Sequence, residues 1–216
     1  NIFLIWEDIF IVKWLPLQPS ILLDYHLKIK NEKRVFIGIP IGSKIKSILP
    51  IIKSSVNCHP NNIKWIPPEN IHLTLSFLGN ISNKDLPHLI QSVEKKITCN
   101  DFQLTISGTG IFPSSKSPKV LWLGISKGID ELSSLQSQVE KSIRKFIENH
   151  QEIIFTPHIT IARIGRLHRK IDALPFLNSV YSPIELYVNF ICLFESQLFP
   201  KGAQYTVLNS FPLNWI

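Results

Sequence analysis

Two segments decide the fold: residues 63–80, IKWIPPENIHLTLSFLGN, and residues 155–164, FTPHITIARI. Each contains a histidine, an apolar residue, a threonine and a second apolar residue, in that order. Apolar and polar residues alternate through both, which is typical of a half-buried β-strand. A period of two places the histidine and its threonine on one face of the strand and the apolar neighbours on the other. The sequence therefore predicts two strands that carry the same small polar cluster.

The remaining patterns mix strands and helices. β-branched runs predict strands over 34–40, 102–112 and 119–125, with closing strands over 185–193 and 203–208. Apolar residues at helical spacing predict helices over 43–55, 83–97 and 129–149. This order predicts an α+β architecture with two sheets rather than a doubly wound parallel sheet.

Composition and charge narrow the class of protein. The chain has 216 residues, of which 44% are hydrophobic and 18% charged, so it is a folded globular protein rather than a disordered one. The formal net charge of +7 favours an anionic partner. The three cysteines include no CxxC pair, which predicts a reducing, cytoplasmic setting.

The first 33 residues differ from the rest of the chain. They contain four lysines and four acidic residues, so the whole net charge lies in residues 34–216. Their apolar run is interrupted by charges and prolines, and predicts neither a membrane span nor a signal peptide. We interpret residues 1–33 as an N-terminal extension and residues 34–216 as a single domain. Whether the extension belongs to the native protein stays open.

The paired clusters suggest acid–base chemistry. His72 and His158 titrate near neutral pH, so two facing imidazoles supply one base and one acid. Thr74 and Thr160 offer hydroxyls to an anionic oxygen, and the set suits in-line displacement at a phosphodiester. Two alternatives are structural histidines without chemistry and a zinc site. The absence of HxxH and CxxC spacing disfavours zinc, so we expect no metal and no cofactor.

Four motifs together resemble a known family: RVFIGIP, WIPPENIHLTLSFLGNI, IFPSSKSPKVLWLGI and FTPHITIARI. From about residue 34 to the C-terminus the chain is similar to the two-histidine (2H) phosphoesterases. More closely, it resembles the bacterial and archaeal RNA 2′,3′-cyclic phosphodiesterases, formerly called 2′-5′ RNA ligases. The resemblance implies a bilobal α+β fold: two antiparallel β-sheets form a central cleft, helices pack outside, and each lobe carries one HxT motif. It also implies metal-independent opening of an RNA 2′,3′-cyclic phosphate to a 2′-phosphate.

The resemblance also implies roles for single residues. His72 would protonate the departing O3′, His158 would act on the attacking water, and the two motif threonines would bind phosphate. Arg163 would contact phosphate and Phe77 would stack on the terminal base. Regular strand alternation places both on the face opposite the histidines, so a bulge or strand end must redirect Arg163, and a surface arginine and a core phenylalanine stay open as alternatives.

A basic stretch follows the second motif. Residues 155–171 contain Arg163, Arg166, Arg169 and Lys170 and no acidic residue, which predicts a track for the RNA backbone with Arg166 as a substrate contact. The expected partner is RNA with a 2′,3′-cyclic phosphate end, tRNA fragments included. We expect a monomer with no membrane association. Two alternatives remain: reversible 2′-5′ RNA ligation by the same site, and a non-catalytic RNA-binding module.

Overall fold

The computed structural model describes residues 31–147, 154–165, 171–199 and 202–214. The compact unit that carries the fold spans Lys33–Ile216. Nearly all of the proposed extension, residues 1–33, lies outside the described residues, so its separation from the domain stays a prediction.

The described part of the chain contains nine strands, five α-helices and three single-turn 3₁₀ helices. The strands are β1 (Glu32–Pro40), β2 (Ile63–Trp65), β3 (His72–Ser82), β4 (Phe102–Phe112), β5 (Val120–Lys127), β6 (Ile159–Ile164), β7 (Ile184–Val188), β8 (Phe190–Phe199) and β9 (Gly202–Pro212). The helices are α1 (Gly42–Ile45), α2 (Leu49–Ser54), α3 (Leu86–Lys96), α4 (Ile129–Ile143) and α5 (Leu174–Leu177).

The strands follow one hydrogen-bonded order, β7-β4-β5-β6-β3-β1-β8-β9, with β2 paired to β6. The predicted α+β class is confirmed, and the pairings of β6 with β2, β3 and β5 are antiparallel. The prediction of two separate sheets differs from this topology. The two halves of the sheet are joined where Leu73 of β3 pairs with Ile159 of β6. Because these are the apolar residues between histidine and threonine in each motif, the motifs themselves form the joint.

The core lies on one side of this joint. Leu73, Leu75, Ile159 and Ile161 are buried, as the strand alternation predicts. Helices α3 and α4 contribute their apolar stripes to the same core, with the buried residues Leu89, Val93, Leu132, Leu135, Val139 and Ile143. The polar face of both motif strands is therefore turned away from the helices.

Several element boundaries differ from the sequence pattern. The helix predicted over 129–149 ends at Ile143 and is followed by a 3₁₀ turn over Arg144–Phe146, and the strand predicted over 203–208 spans Gly202–Pro212. The helix predicted over 43–55 is two short helices, because Pro50 stands in the first turn of α2 and cannot continue a preceding helix. β3 continues to Ser82 instead of turning at residue 79, since Gly79 takes φ 75 within the strand. The strand predicted over 185–193 divides at Asn189: β7 pairs with β4 and β8 with β1, at opposite ends of the sheet.

Candidate active site

Both motif histidines are held by the same backbone contact. Nδ1 of His72 lies 2.6 Å from the carbonyl oxygen of Asn70, and Nδ1 of His158 lies 2.7 Å from that of Thr156. A carbonyl oxygen only accepts, so in each neutral ring Nδ1 carries the proton and donates it. Nε2 of each ring then has a free lone pair, and it has no hydrogen-bond partner among the described residues. Each imidazole is thus oriented as a base or, once protonated, as an acid.

The register at the joint arranges the four motif side chains. Leu73 and Ile159 are direct antiparallel partners. Because the two strands are antiparallel, His72 and Thr160 flank this pair on one side, and His158 and Thr74 flank it on the other. The two histidines therefore lie diagonally across the joint. A positive charge on His158 lowers the pKa of His72, so the second ring is within electrostatic reach of the first.

The threonines are placed to meet a ligand. Thr74 and Thr160 are both half-buried and lie on the strand face of their histidines. Neither hydroxyl has a hydrogen-bond partner within the described ranges. Two hydroxyls on the strand face of the two imidazoles suit a small anion such as a phosphate group.

Burial favours the neutral form of both rings. Desolvation lowers the pKa of His72 to about 4, with further lowering by the charges of Arg163 and His158, while the Asn70 carbonyl opposes the shift. Desolvation also lowers the pKa of His158, again assisted by Arg163 and opposed by the Thr156 carbonyl. Without a ligand, both imidazoles are therefore neutral at pH 7.

A β-bulge turns Arg163 toward the histidines. Along β5, Leu121 pairs with Ala162 but Trp122 pairs with Thr160, so Ile161 is an extra residue in β6. Beyond this bulge the alternation is reversed, and Arg163 lies on the face of Thr160. The exposed guanidinium acts electrostatically on both histidines. Regular alternation would place Arg163 on the face opposite the histidines, and this bulge redirects it to their face.

The burial pattern of β3 also reverses, at Phe77. Leu75, Ser76 and Leu78 are buried whereas Phe77 is 58% exposed, so the core interpretation of Phe77 is wrong. Its ring centroid lies 5.9 Å from that of Phe36, which in turn lies 4.6 Å from the ring of His72. Phe77 is therefore an exposed aromatic surface next to the first histidine.

The two motifs match residue for residue. From each histidine onward the burial sequence is half-buried, buried, half-buried, buried, buried, exposed. The exposed sixth residue is Phe77 in β3 and Arg163 in β6. The two motifs thus share a burial pattern and differ at this position, where one presents an aromatic ring and the other a cation.

Aromatic residues that the sequence patterns did not reveal enclose both histidines. Around His72 stand Phe36, Phe194 and Tyr205, with ring centroids 4.6, 5.9 and 5.0 Å away. These walls remove water from the imidazole and explain its desolvation. A sequence signal existed for Phe36, because it alternates with the buried Val35 and Ile37 and so predicts an aromatic on or near the motif face.

The second histidine has a smaller aromatic wall. Phe112 lies 5.1 Å and Trp122 6.2 Å from the ring of His158, measured between ring centroids. The indole of Trp122 covers Gly110 so closely that a Cβ there would lie 2.1 Å from it. Gly110 is therefore the residue that lets Trp122 lie flat beside the site.

Other predicted features lie elsewhere or outside the description. Arg166, with Arg169 and Lys170, falls in residues 166–170, outside the described residues. Within the described ranges, no three His, Cys, Asp or Glu side chains gather as metal ligands would. None of the helices described is long and apolar enough to cross a membrane. A depression of about 230 Å³ lined by His88, Lys95 and Lys145 contains no motif residue.

Comparisons with known proteins show which proteins have a similar sequence and fold. Residues 45–122 match the model of the LigT-like phosphoesterases. Among solved structures, a protein of Thermus thermophilus superposes with a TM-score of 0.66 at 27% identity, covering 83% of this chain and 97% of that one. Escherichia coli LigT in complex with 3′-AMP superposes with a TM-score of 0.68 at 22% identity, covering 85% and 99%. The fold is that of these solved structures, and the matched segment is similar to the LigT-like phosphoesterases.

Curated relatives give the family. The RNA 2′,3′-cyclic phosphodiesterase of Aquifex aeolicus is 34% identical over 185 residues, covering 83% of this chain and 97% of the relative. That of Archaeoglobus fulgidus is 29% identical over 179 residues, covering 82% and 99%. The chain belongs to the RNA 2′,3′-cyclic phosphodiesterase family, as its motifs predicted.

Proposed function

We propose that this protein opens the 2′,3′-cyclic phosphate at an RNA end to a 2′-phosphate, without a metal ion, by a two-histidine mechanism. One observation carries the proposal: the imidazoles of His72, in β3, and His158, directly before β6, each direct Nδ1 to a backbone carbonyl, and neither Nε2 has a partner among the described residues. The names of the curated relatives support the substrate.

The cyclic phosphate binds between the two halves of the sheet. Thr74 and Thr160 donate to its non-bridging oxygens, and Arg163 balances its charge. Because the guanidinium lowers the pKa of both histidines, an anion bound beside it offsets that charge and raises both pKa values. One ring then holds a proton near neutral pH while the other stays a base. The terminal base stacks on Phe77, a contact worth about 1–3 kcal/mol.

The reaction is an in-line displacement at phosphorus. One neutral imidazole takes a proton from water through Nε2, and the water oxygen bonds to phosphorus. The bond from phosphorus to O3′ breaks, and the second, protonated imidazole gives its proton to O3′. The products are a 2′-phosphate and a free 3′-hydroxyl, with one water consumed. In-line attack needs base and acid on opposite sides of phosphorus, which the diagonal of histidines supplies.

In this proposal His72 is the acid and His158 the base, following the family resemblance. A substrate with sulfur in place of the bridging O3′ tests the assignment, because a thiolate leaves without protonation. His72→Ala should then recover much of its activity on the sulfur substrate, whereas His158→Ala should not. Recovery by His158→Ala alone would reverse the two roles.

The central experiment uses the purified protein in excess EDTA and a short RNA that ends in a 2′,3′-cyclic phosphate. We expect a 2′-phosphate product, with a loss of about 10²–10⁴-fold in kcat for His72→Ala and for His158→Ala. His88→Ala is the matched control, because His88 is exposed on α3 outside the site. RNA that binds tightly but is never opened between pH 5 and 9 would refute the enzymatic proposal and favour a binding module. Joined RNA products would instead indicate 2′-5′ ligation.

A further inference from the structure

A second cation stands beside Arg163. Lys64 of β2 is the direct antiparallel partner of Arg163 of β6. Directly paired residues of antiparallel strands leave the sheet on the same face, with Cβ atoms about 4.5–5.5 Å apart. Since Arg163 acts on both motif histidines, Lys64 leaves the sheet on the side of the site.

The Lys64 side chain extends to β9, the last strand in the sheet order. A Cβ built on Gly202, the first residue of β9, would lie 3.0 Å from Nζ of Lys64. Tyr205, three residues further along β9, borders His72 and is within the electrostatic reach of Arg163. The ammonium group of Lys64 therefore stands where β2 and β9 approach each other, at the edge of the site.

Within the described part of the chain, no acidic side chain compensates this cationic pair. Two like charges directly opposite each other on adjacent strands destabilise a sheet. Neither Lys64 nor Arg163 has an ion-pair partner among the described residues. Lys64 is also exposed, so its ammonium group is accessible. Such a pair is stabilised when anions bind to it.

We propose that Lys64 binds the phosphodiester on the 5′ side of the terminal nucleotide, while Arg163 binds the reacting cyclic phosphate. The inference rests on the proposed function and deepens it. The terminal nucleotide of an RNA carries these two phosphates in sequence, and the structure offers two cations side by side. A free nucleoside 2′,3′-cyclic phosphate lacks the second phosphate. Lys64 therefore selects the end of an RNA chain over the mononucleoside.

The test compares two substrates: a short RNA that ends in a 2′,3′-cyclic phosphate, and the matching nucleoside 2′,3′-cyclic phosphate with a 5′-hydroxyl. For Lys64→Gln we expect KM for the RNA to rise about tenfold, because a hydrogen bond to a charged group is lost. KM for the nucleoside should stay within about twofold. Lys64→Arg should retain the preference. Lys127→Gln is the matched control. It removes the same charge at the end of β5 far from Arg163, and it should behave as wild type on both substrates.

Binding measurements keep the inference separate from catalysis. With fluorescently labelled RNA, Lys64→Gln should reduce the slope of log affinity against log salt concentration by about 0.7, the value for one phosphate contact on a single strand. This holds even if no RNA is turned over, in which case the proposed function fails and the contact stands. An unchanged slope, or an equal rise in KM for both substrates, would overturn the proposal.

Discussion

The clearest physical consequence of the site is a dependence of stability on acid. The unfolded chain gives His72 an ordinary pKa near 6.5, whereas burial lowers it to about 4 in the folded protein. Between these values the unfolded state binds more protons than the folded state, so acid favours unfolding. This part of the stability is complete above pH 6.5 and is lost as the pH falls toward 4.

The magnitude follows from the pKa difference. One pKa unit corresponds to about 1.4 kcal/mol, so a fall from 6.5 to about 4 corresponds to about 3 kcal/mol. Water that still reaches the half-buried ring reduces the expected effect to about 2 kcal/mol. Urea unfolding of wild type, His72→Gln and His88→Gln at pH 7 and pH 4 measures it. His72→Gln should lose about 2 kcal/mol less than the other two between these pH values. Equal losses in all three proteins would refute the assigned burial of His72.

Three further predictions follow from the same geometry. Gly42→Ala should cost about 1–3 kcal/mol in urea unfolding, because its Cβ would lie 1.6 Å from the carbonyl oxygen of Pro68. Gly165→Ala, whose Cβ meets nothing nearer than 3.6 Å, should cost much less, and similar losses would contradict the close packing. Arg163→Met should raise the pKa of both motif histidines in an NMR titration, whereas Lys127→Met should not; unchanged values would place the guanidinium elsewhere. Finally, kcat/KM should peak below pH 6.5 and fall above it, because both free-enzyme pKa values are lowered; a rise up to pH 8 would exclude this.

Sequence patterns predicted the candidate site because the residues that define it are close together in the sequence. A histidine and a threonine two residues apart on a strand must share a face, so two such pairs with apolar neighbours predicted both the motif strands and the buried side. The confirmed burial of Leu73 and Ile159 is the direct result. Local patterns also predicted Phe102–Phe112 with the observed limits, because its β-branched run lies between Asp101 and the loop that begins at Pro113.

Sequence patterns did not predict the features that depend on pairing between strands distant in the sequence. Alternation placed Arg163 and Phe77 opposite the histidines, and only the reversal of alternation in β6 and β3 places them beside the site. A bulge depends on the partner strand, so one strand's own pattern does not show it. The pairing of Leu73 with Ile159, which joins the two halves of the sheet, is likewise between residues far apart in the sequence. Lys64 was missed because its importance comes from standing opposite Arg163.

The matched burial patterns of the two motifs also bear on the direction in which a substrate binds. A burial pattern that is the same from both histidines does not by itself fix which way round a substrate lies. The unlike residues at the exposed sixth position, Phe77 and Arg163, make the two ends of the pattern different. If the site binds RNA as proposed, these two side chains would set the direction of the bound nucleotide, with the nucleoside toward Phe77 and the phosphate toward Arg163.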